Sequence, residues 1–318
     1  MNMQELFDLM INQGIDADPR GRAEVEAYLA KRRQQQEQLT EEEKKELDPE
    51  MLTNPYADSR ILCGDPAKEI KRVLVGVDIE VGEVLLADRL CEKGTSIDLI
   101  IAHHPEGKSL AALHDVMHLQ EDMLAKLGVP INVAEGLLAS RISEVKRGLA
   151  PLNHNRAVDA AKLLGFAMMC VHTPADNQVQ NFLENRIAES RPETAGDILK
   201  LLKTIPEYQE AAKNDAGPTL FVGRKEARCG KVMVDMTGGT SGSEDAYAKL
   251  AQAGIGTIIG MHMNEKHRKE AEKHFINVVI AGHMASDSLG INLLLDSLEE
   301  RGIDVVPCAG LIRVRRNG

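Results

Sequence analysis

The sequence predicts an α/β fold with strand-helix alternation, mainly parallel or mixed sheets, a cleft at the carboxyl ends of the strands, and a helical extension at the N-terminus. Two observations carry the α/β prediction. Short apolar runs recur along the chain, as VLVGVDI (73–79), DLIIA (98–102), FAMMCVH (166–172) and NVVIAGH (277–283). They are too short for membrane helices and too apolar for loops, so a parallel sheet covered by helices is their natural place. Helical stretches lie between them, the alternation that builds parallel sheets. A third observation, the polar and charged composition of the first 54 residues, predicts the extension and a division into an N-terminal part, 1–54, and a core, 55–318.

Taken in order, residues 3–13 read as a short helix with Leu6, Leu9 and Met10 on one face, ending near Gly14. Residues 22–46, with RRQQQEQ and EEEKKE, have strong helix propensity and few apolar positions, the pattern of a solvated or partner-facing helix. The boundary falls at Asn54-Pro55. The strand at 73–79 leads into a helix at 83–93, closed by Gly94, and then into the strand 98–102, a unit that implies a parallel pair with a right-handed crossover. A long helix is expected over 110–127, closed by Gly128, and another over 155–164. After the strand 166–172, residues 177–213 read as helical with interruptions at RPETAG and TIPEYQ. Residues 219–223 and 231–236 read as two short strands joined by a turn. TGGTSGSED then leads into a helix over 245–253, a strand over 257–261, a helix over 264–274, the strand 277–283 and a final long helix.

At 318 residues the chain is long enough for a large core in one or two domains. Lys and Arg total 38 against 49 Asp and Glu, a net charge of -11, which argues against nucleic acid or an anionic membrane as a partner. The five cysteines are scattered and never spaced C-x-x-C, which fits a reducing, cytoplasmic setting. The N-terminus is amphipathic and acidic, unlike a secretory signal, and no apolar run approaches the ~18 residues of a membrane span.

Chemistry gathers at the strand ends. The strand 98–102 runs into His103, His104 and Pro105, and proline ends its hydrogen-bond ladder. The strand 166–172 ends in His172, with Asp176 four residues on; the strand 277–283 ends in His283, with Asp287 four residues on. Singly, each histidine reads as a structural or solvated strand end, and each aspartate as the cap of the next helix. Their recurrence points instead to a site. Imidazole nitrogen and carboxylate oxygen suit zinc, manganese or iron, and five such ligands are too many for one catalytic tetrahedral zinc; two ions roughly 3.5–4 Å apart would use them all. His114 and His118 also stand four apart, but no third ligand accompanies them and a plain helical pair is expected. The glycine-rich TGGTSGSED loop has anion-cradling composition but lacks the lysine of a P-loop, and a flexible turn explains it equally well.

The motifs AHHP (102–105), HTPAD (172–176) and GHMASD (282–287) resemble, in kind and order, those of the Nif-three-like family, the homologues of GTP cyclohydrolase I type 2. The resemblance spans about residues 55–300 and the core only. It implies two α/β lobes around two divalent metal ions held by His103, His104, Asp176, His283 and Asp287. It also aligns Gly238, Gly239 and Gly242 with the family's glycine loop, and implies a homo-oligomer, commonly a hexameric ring. Two departures stand out. The last ligand is usually glutamate where this chain has the shorter Asp287, and similar proteins carry an acidic residue after the glycine where this chain has Gly260-Met261-His262.

The expected function is a metal-dependent hydrolase acting on a small-molecule substrate, with His172 as general acid/base or as support for the ligand Asp176, and with the opening of a GTP purine ring suggested by the family name alone. The alternative is a metal-binding regulatory or scaffold protein without turnover, since no nucleophile motif such as G-x-S-x-G occurs.

Overall fold

A computed structural model describes residues 1–316. Helix α1 (Met3–Asp16) begins at a reciprocal cap: the Asn2 side chain accepts from the Glu5 N–H while the Glu5 carboxylate accepts from the Asn2 N–H. Met3, Leu6, Phe7 and Met10 on its inner face are buried, and the helix packs against the body of the protein. By contrast, α2 (Arg22–Glu37) buries only Val25 and Leu29, and α3 (Glu41–Glu46) buries nothing. The polar stretch is therefore solvated, as its composition implies, while the first helix belongs to the core.

The next segment comprises β1 (Arg60–Cys63), β2 (Arg72–Gly76), α4 (Val81–Glu92), β3 (Leu99–Ala102), α5 (Gly107–Ala111), α6 (His118–Leu127), α7 (Ile131–Leu149), α8 (Arg156–Leu163) and β4 (Ala167–Cys170). It is followed by α9 (Thr173–Ser190), α10 (Ala195–Leu202) and α11 (Pro206–Ala212). The last segment comprises β5 (Thr219–Val222), β6 (Lys231–Asp235), α12 (Ala246–Gln252), β7 (Ile255–Gly260), α13 (Glu265–Lys273), β8 (Asn277–Ile280), α14 (His283–Glu299) and β9 (Asp304–Cys308). Two mixed sheets result, ordered β1-β4-β3-β2-β9 and β5-β8-β7-β6. All residues of β3, β4 and β8 are buried, as strands covered on both faces must be.

The two sheets repeat one plan. In each, an antiparallel edge strand (β1, β5) pairs with the last strand of the unit (β4, β8), which runs parallel to its neighbour (β3, β7), itself parallel to β2 or β6. Even the register shift in the edge strand recurs, at Ile61/Cys63 and at Leu220/Val222. Ala102 of β3 and Gly260 of β7 occupy matching positions, each paired with the last residue of both neighbours.

Several elements differ from the sequence reading. The expected helix over 110–127 is broken by a 3-10 turn, Leu113–Met117, which sends the adjacent side chains of Val116 and Met117 into two different hydrophobic clusters. Strands β5 and β6 do not pair: they lie at opposite edges of their sheet with β8 and β7 between them. Strands β1 and β9 are half-buried edges of mixed polarity, so no apolar run announces them. Helix α7 also escapes the reading, for its buried stripe is only Ala134, Leu138 and Ile142.

Candidate metal centre

The carboxyl ends of β3, β4 and β8 meet between the two sheets. Backbone pairing continues past β3, where the N–H groups of His103 and His104 donate to the carbonyls of Gly76 (3.0 Å) and Val77 (2.9 Å), so both histidines leave the sheet on a fixed backbone. Each imidazole is then oriented through Nδ1. His103 Nδ1 lies 3.2 Å from the Val171 carbonyl, His104 Nδ1 lies 2.6 Å from Asp78 Oδ1, and His172 Nδ1 lies 2.7 Å from Asp58 Oδ2. With Nδ1–H donating to these oxygens, all three rings present Nε2 to the centre, the arrangement by which outer carboxylates and carbonyls orient metal-binding imidazoles.

The carboxylates come from the helices that follow the strands. Asp176 lies in the first turn of α9 and Asp287 one turn into α14. The two helices approach closely because position 290 is glycine: a Cβ there would stand 2.2 Å from the Ala175 carbonyl oxygen. Asp287 Oδ1 is 3.6 Å from His103 Nε2, whereas its Oδ2 is 3.5 Å from His104 Nε2 and 3.4 Å from His283 Nε2. Asp176 Oδ1 lies 3.5 Å from His103 Nε2, and Oδ2 lies 3.7 Å from His172 Nε2. Thus one oxygen of Asp287 faces His103 and the other faces His104 and His283. Asp287 caps nothing; Ser286 returns its hydroxyl to the Gly282 carbonyl (2.6 Å).

None of these contacts is a hydrogen bond, and His103 Nε2, Asp176 Oδ1 and both oxygens of Asp287 are buried without any partner. Four such atoms facing one another would each cost about 1–3 kcal/mol if nothing bound them. Cations bound among these atoms would satisfy them. Three groups have ligand atoms mutually within 4.8 Å, namely His103, His104 and His172; His104, His283 and Asp287; and His103, Asp176 and Asp287. The buried His/Asp cluster can therefore hold metal, and its donor set fits a divalent ion.

The ionisable groups of the cluster are driven in opposite directions. Burial pushes the His103 pKa down to about 4, which keeps the ring neutral and able to ligate. Burial also opposes the charged form of His172, but the carboxylates of Asp176 and Asp58 outweigh it and raise the pKa to about 9. Asp176 is raised to about 7, chiefly by burial. For Asp287, burial is overcome by the surrounding histidines, first His103, which hold the carboxyl well below the usual range.

All six residues singled out from the sequence converge here, while His114 and His118 stand apart; His118 pairs with Glu121 at 3.1 Å. Sequence reasoning passed over Asp58 and Asp78. Neither belongs to a histidine motif, and only folding brings Asp58 beneath His172. A cleft runs from the cluster along the glycine loop, lined by Thr237, Thr240, Ser241, Asp235 and His262. Gly238 and Gly239 adopt φ of 99° and 87°, open to glycine, and the Gln120 amide donates to the carbonyls of Gly238 (2.7 Å) and Thr240 (2.6 Å) from behind. The loop is thus tied in place as a wall of the cleft.

No protein-family model and no curated protein matches the chain. Among solved structures, a NIF3 superfamily protein from Sphaerobacter thermophilus matches with 27% identity and a TM-score of 0.73, covering 80% of this chain and 92% of that one. Reduced HcgD from Methanocaldococcus jannaschii matches with 13% identity and a TM-score of 0.52, covering 81% and 92%, a likeness of fold alone. The shared architecture, and a histidine-aspartate cluster built from the motifs at three strand ends, place this chain in the NIF3 superfamily.

Proposed function

We propose that the protein is a dinuclear metal-dependent hydrolase of a small-molecule substrate, with two divalent ions (zinc, manganese or iron) held by His103, His104, Asp176, His283 and Asp287. The observation that carries the reading is the set of four buried, partnerless atoms on His103, Asp176 and Asp287. When bound, such ions supply Lewis acidity and an activated water as nucleophile. The chain's own residues do the rest. Asp287 turns one oxygen to each half of the cluster, and Asp58 and Asp78 hold the rings of His172 and His104 in place. His172, with Nδ1 occupied by Asp58, has Nε2 to accept or return a proton beside Asp176, which makes it the general acid/base of this reading. The cleft along the glycine loop is where a substrate would lie. The five thiols, none in a disulfide, favour a cytoplasmic setting, and a homo-oligomer, a hexameric ring, belongs to the same proposal.

Elemental analysis of the purified protein tests the centre. Two equivalents of transition metal per chain are expected, falling in His103→Ala and His104→Ala with the fold retained, and unchanged in His114→Ala and His118→Ala. Metal at parental stoichiometry in both of the first pair would sink the assignment. Turnover of a nucleotide, phosphoester or amide panel by the loaded protein, lost in His104→Ala, separates a hydrolase from a metal-binding protein without turnover.

A further inference from the structure

His262 follows β7 as His104 follows β3. Because Ala102 and Gly260 occupy matching positions in the repeated sheet plan, both histidines stand two residues past the same point of their sheets. Both also lie against the same ring: the centroid of His283 is 5.2 Å from that of His104 and 4.9 Å from that of His262, the latter in an edge-on contact. His262 is exposed at the cleft that also takes in His283 and Asp287. Elsewhere in the cluster, His103, His104 and His172 all have Nδ1 engaged.

We infer that His262 is a further ligand of the centre, completing the sphere of the ion held by His104, His283 and Asp287. The inference rests on the dinuclear reading above. His262 lies outside the cluster of mutually close ligand atoms and reaches the ion by rotating its side chain, for which its exposed position leaves room. The consequence is an asymmetric centre. One ion is held by His103, Asp176 and Asp287, rich in oxygen; the other by three imidazoles and the shared carboxylate, rich in nitrogen. Imidazole-rich sites favour zinc over manganese, whereas carboxylate-rich sites accept manganese more readily. The additional imidazole also bears on Asp287, whose reach is one methylene shorter than that of a glutamate: a fourth protein ligand holds the second ion where a short carboxylate alone would hold it loosely.

The test is metal titration of the full chain, stripped with chelator and followed by calorimetry with zinc and with manganese, together with the visible spectrum of the cobalt-loaded protein. In His262→Ala, one of the two sites is expected to lose at least about tenfold in zinc affinity, as loss of an ordered metal contact commonly does. The other site should be unchanged, the preference for zinc over manganese should shrink, and the cobalt bands should shift. Added imidazole should restore the lost affinity, which a merely structural role for the side chain would not allow. Melting of the metal-free variant should match the parent, since the side chain is exposed. Two zinc sites with parental affinity in His262→Ala would overturn the ligand while leaving the centre intact. Parent protein that takes up no metal would overturn the centre and this ligand together.

Discussion

Asp287 concentrates the chemistry of the site in one side chain. It is 1% exposed, its two oxygens face different halves of the cluster, and neither has a partner. Asp287→Asn preserves size and removes the charge that a bridge between cations requires, so the metal-free fold should persist while affinity for at least one ion falls. Asp287→Glu should bind both ions as well as the parent or better, because the longer side chain adds reach. Calorimetric titration of the three proteins decides the matter: equal affinities throughout would remove Asp287 from the centre. The same residue-scale logic explains Asp58, which is fully buried and accepts from Thr173 (2.6 Å) as well as bonding His172. Burial would push its carboxyl up, but these partners, His172 foremost, hold it below the usual range, so it stays a carboxylate and keeps the His172 ring oriented.

At the scale of elements, the site depends on how closely α9 and α14 approach. Gly290 permits it, with Ala175 on the facing helix. Gly290→Ala drives a methyl into backbone that cannot fold away, and overpacking of this kind costs about 1–3 kcal/mol. It should also pull Asp176 and Asp287 apart, lowering metal affinity along with stability. Gly82, in the first turn of α4 with nothing within 4 Å of its Cβ direction, is the control. There alanine should be neutral or stabilise by up to about 1 kcal/mol, with metal binding unchanged. Thermal melts and metal titrations of the two variants check both statements; a Gly290→Ala protein with parental stability and affinity would show that the helix crossing does not set the site.

For the whole molecule, the centre is a seam. The first sheet and the helix after it contribute His103, His104, His172 and Asp176; the second contributes His283 and Asp287. Metal bound there would tie the two halves together and should stabilise the native state over an unfolded chain that cannot assemble the site. At a hundred times the dissociation constant, linkage gives about 2.7 kcal/mol. Chelator should lower the melting temperature of the loaded protein, and readded zinc should restore it. His104→Ala should respond weakly to either treatment. A melting temperature indifferent to chelator in protein shown to carry two equivalents would mean that the ions do not bridge the sheets.

The sequence by itself determined the class of fold and named six side chains that the fold brings together. Buried strands such as LIIA and NVVI are legible because every residue but Asn277 is apolar, and the strand-end motifs at 103–104, 172–176 and 283–287 are legible because histidine and aspartate recur at one structural position. Half-buried edge strands β1 and β9 carry no such signal, and the separation of β5 from β6 could not be read because strand order is decided by pairing between residues far apart in the chain. The duplicated sheet plan is likewise a property of pairing and register. Asp58 shows the limit most clearly: in sequence it is a loop aspartate 114 residues from His172, and it orients that ring only because the antiparallel pairing of β1 with β4 sets the two side by side. Local chemistry names the groups that can bind or titrate; tertiary packing decides which atoms are left buried without partners, and those atoms define the site.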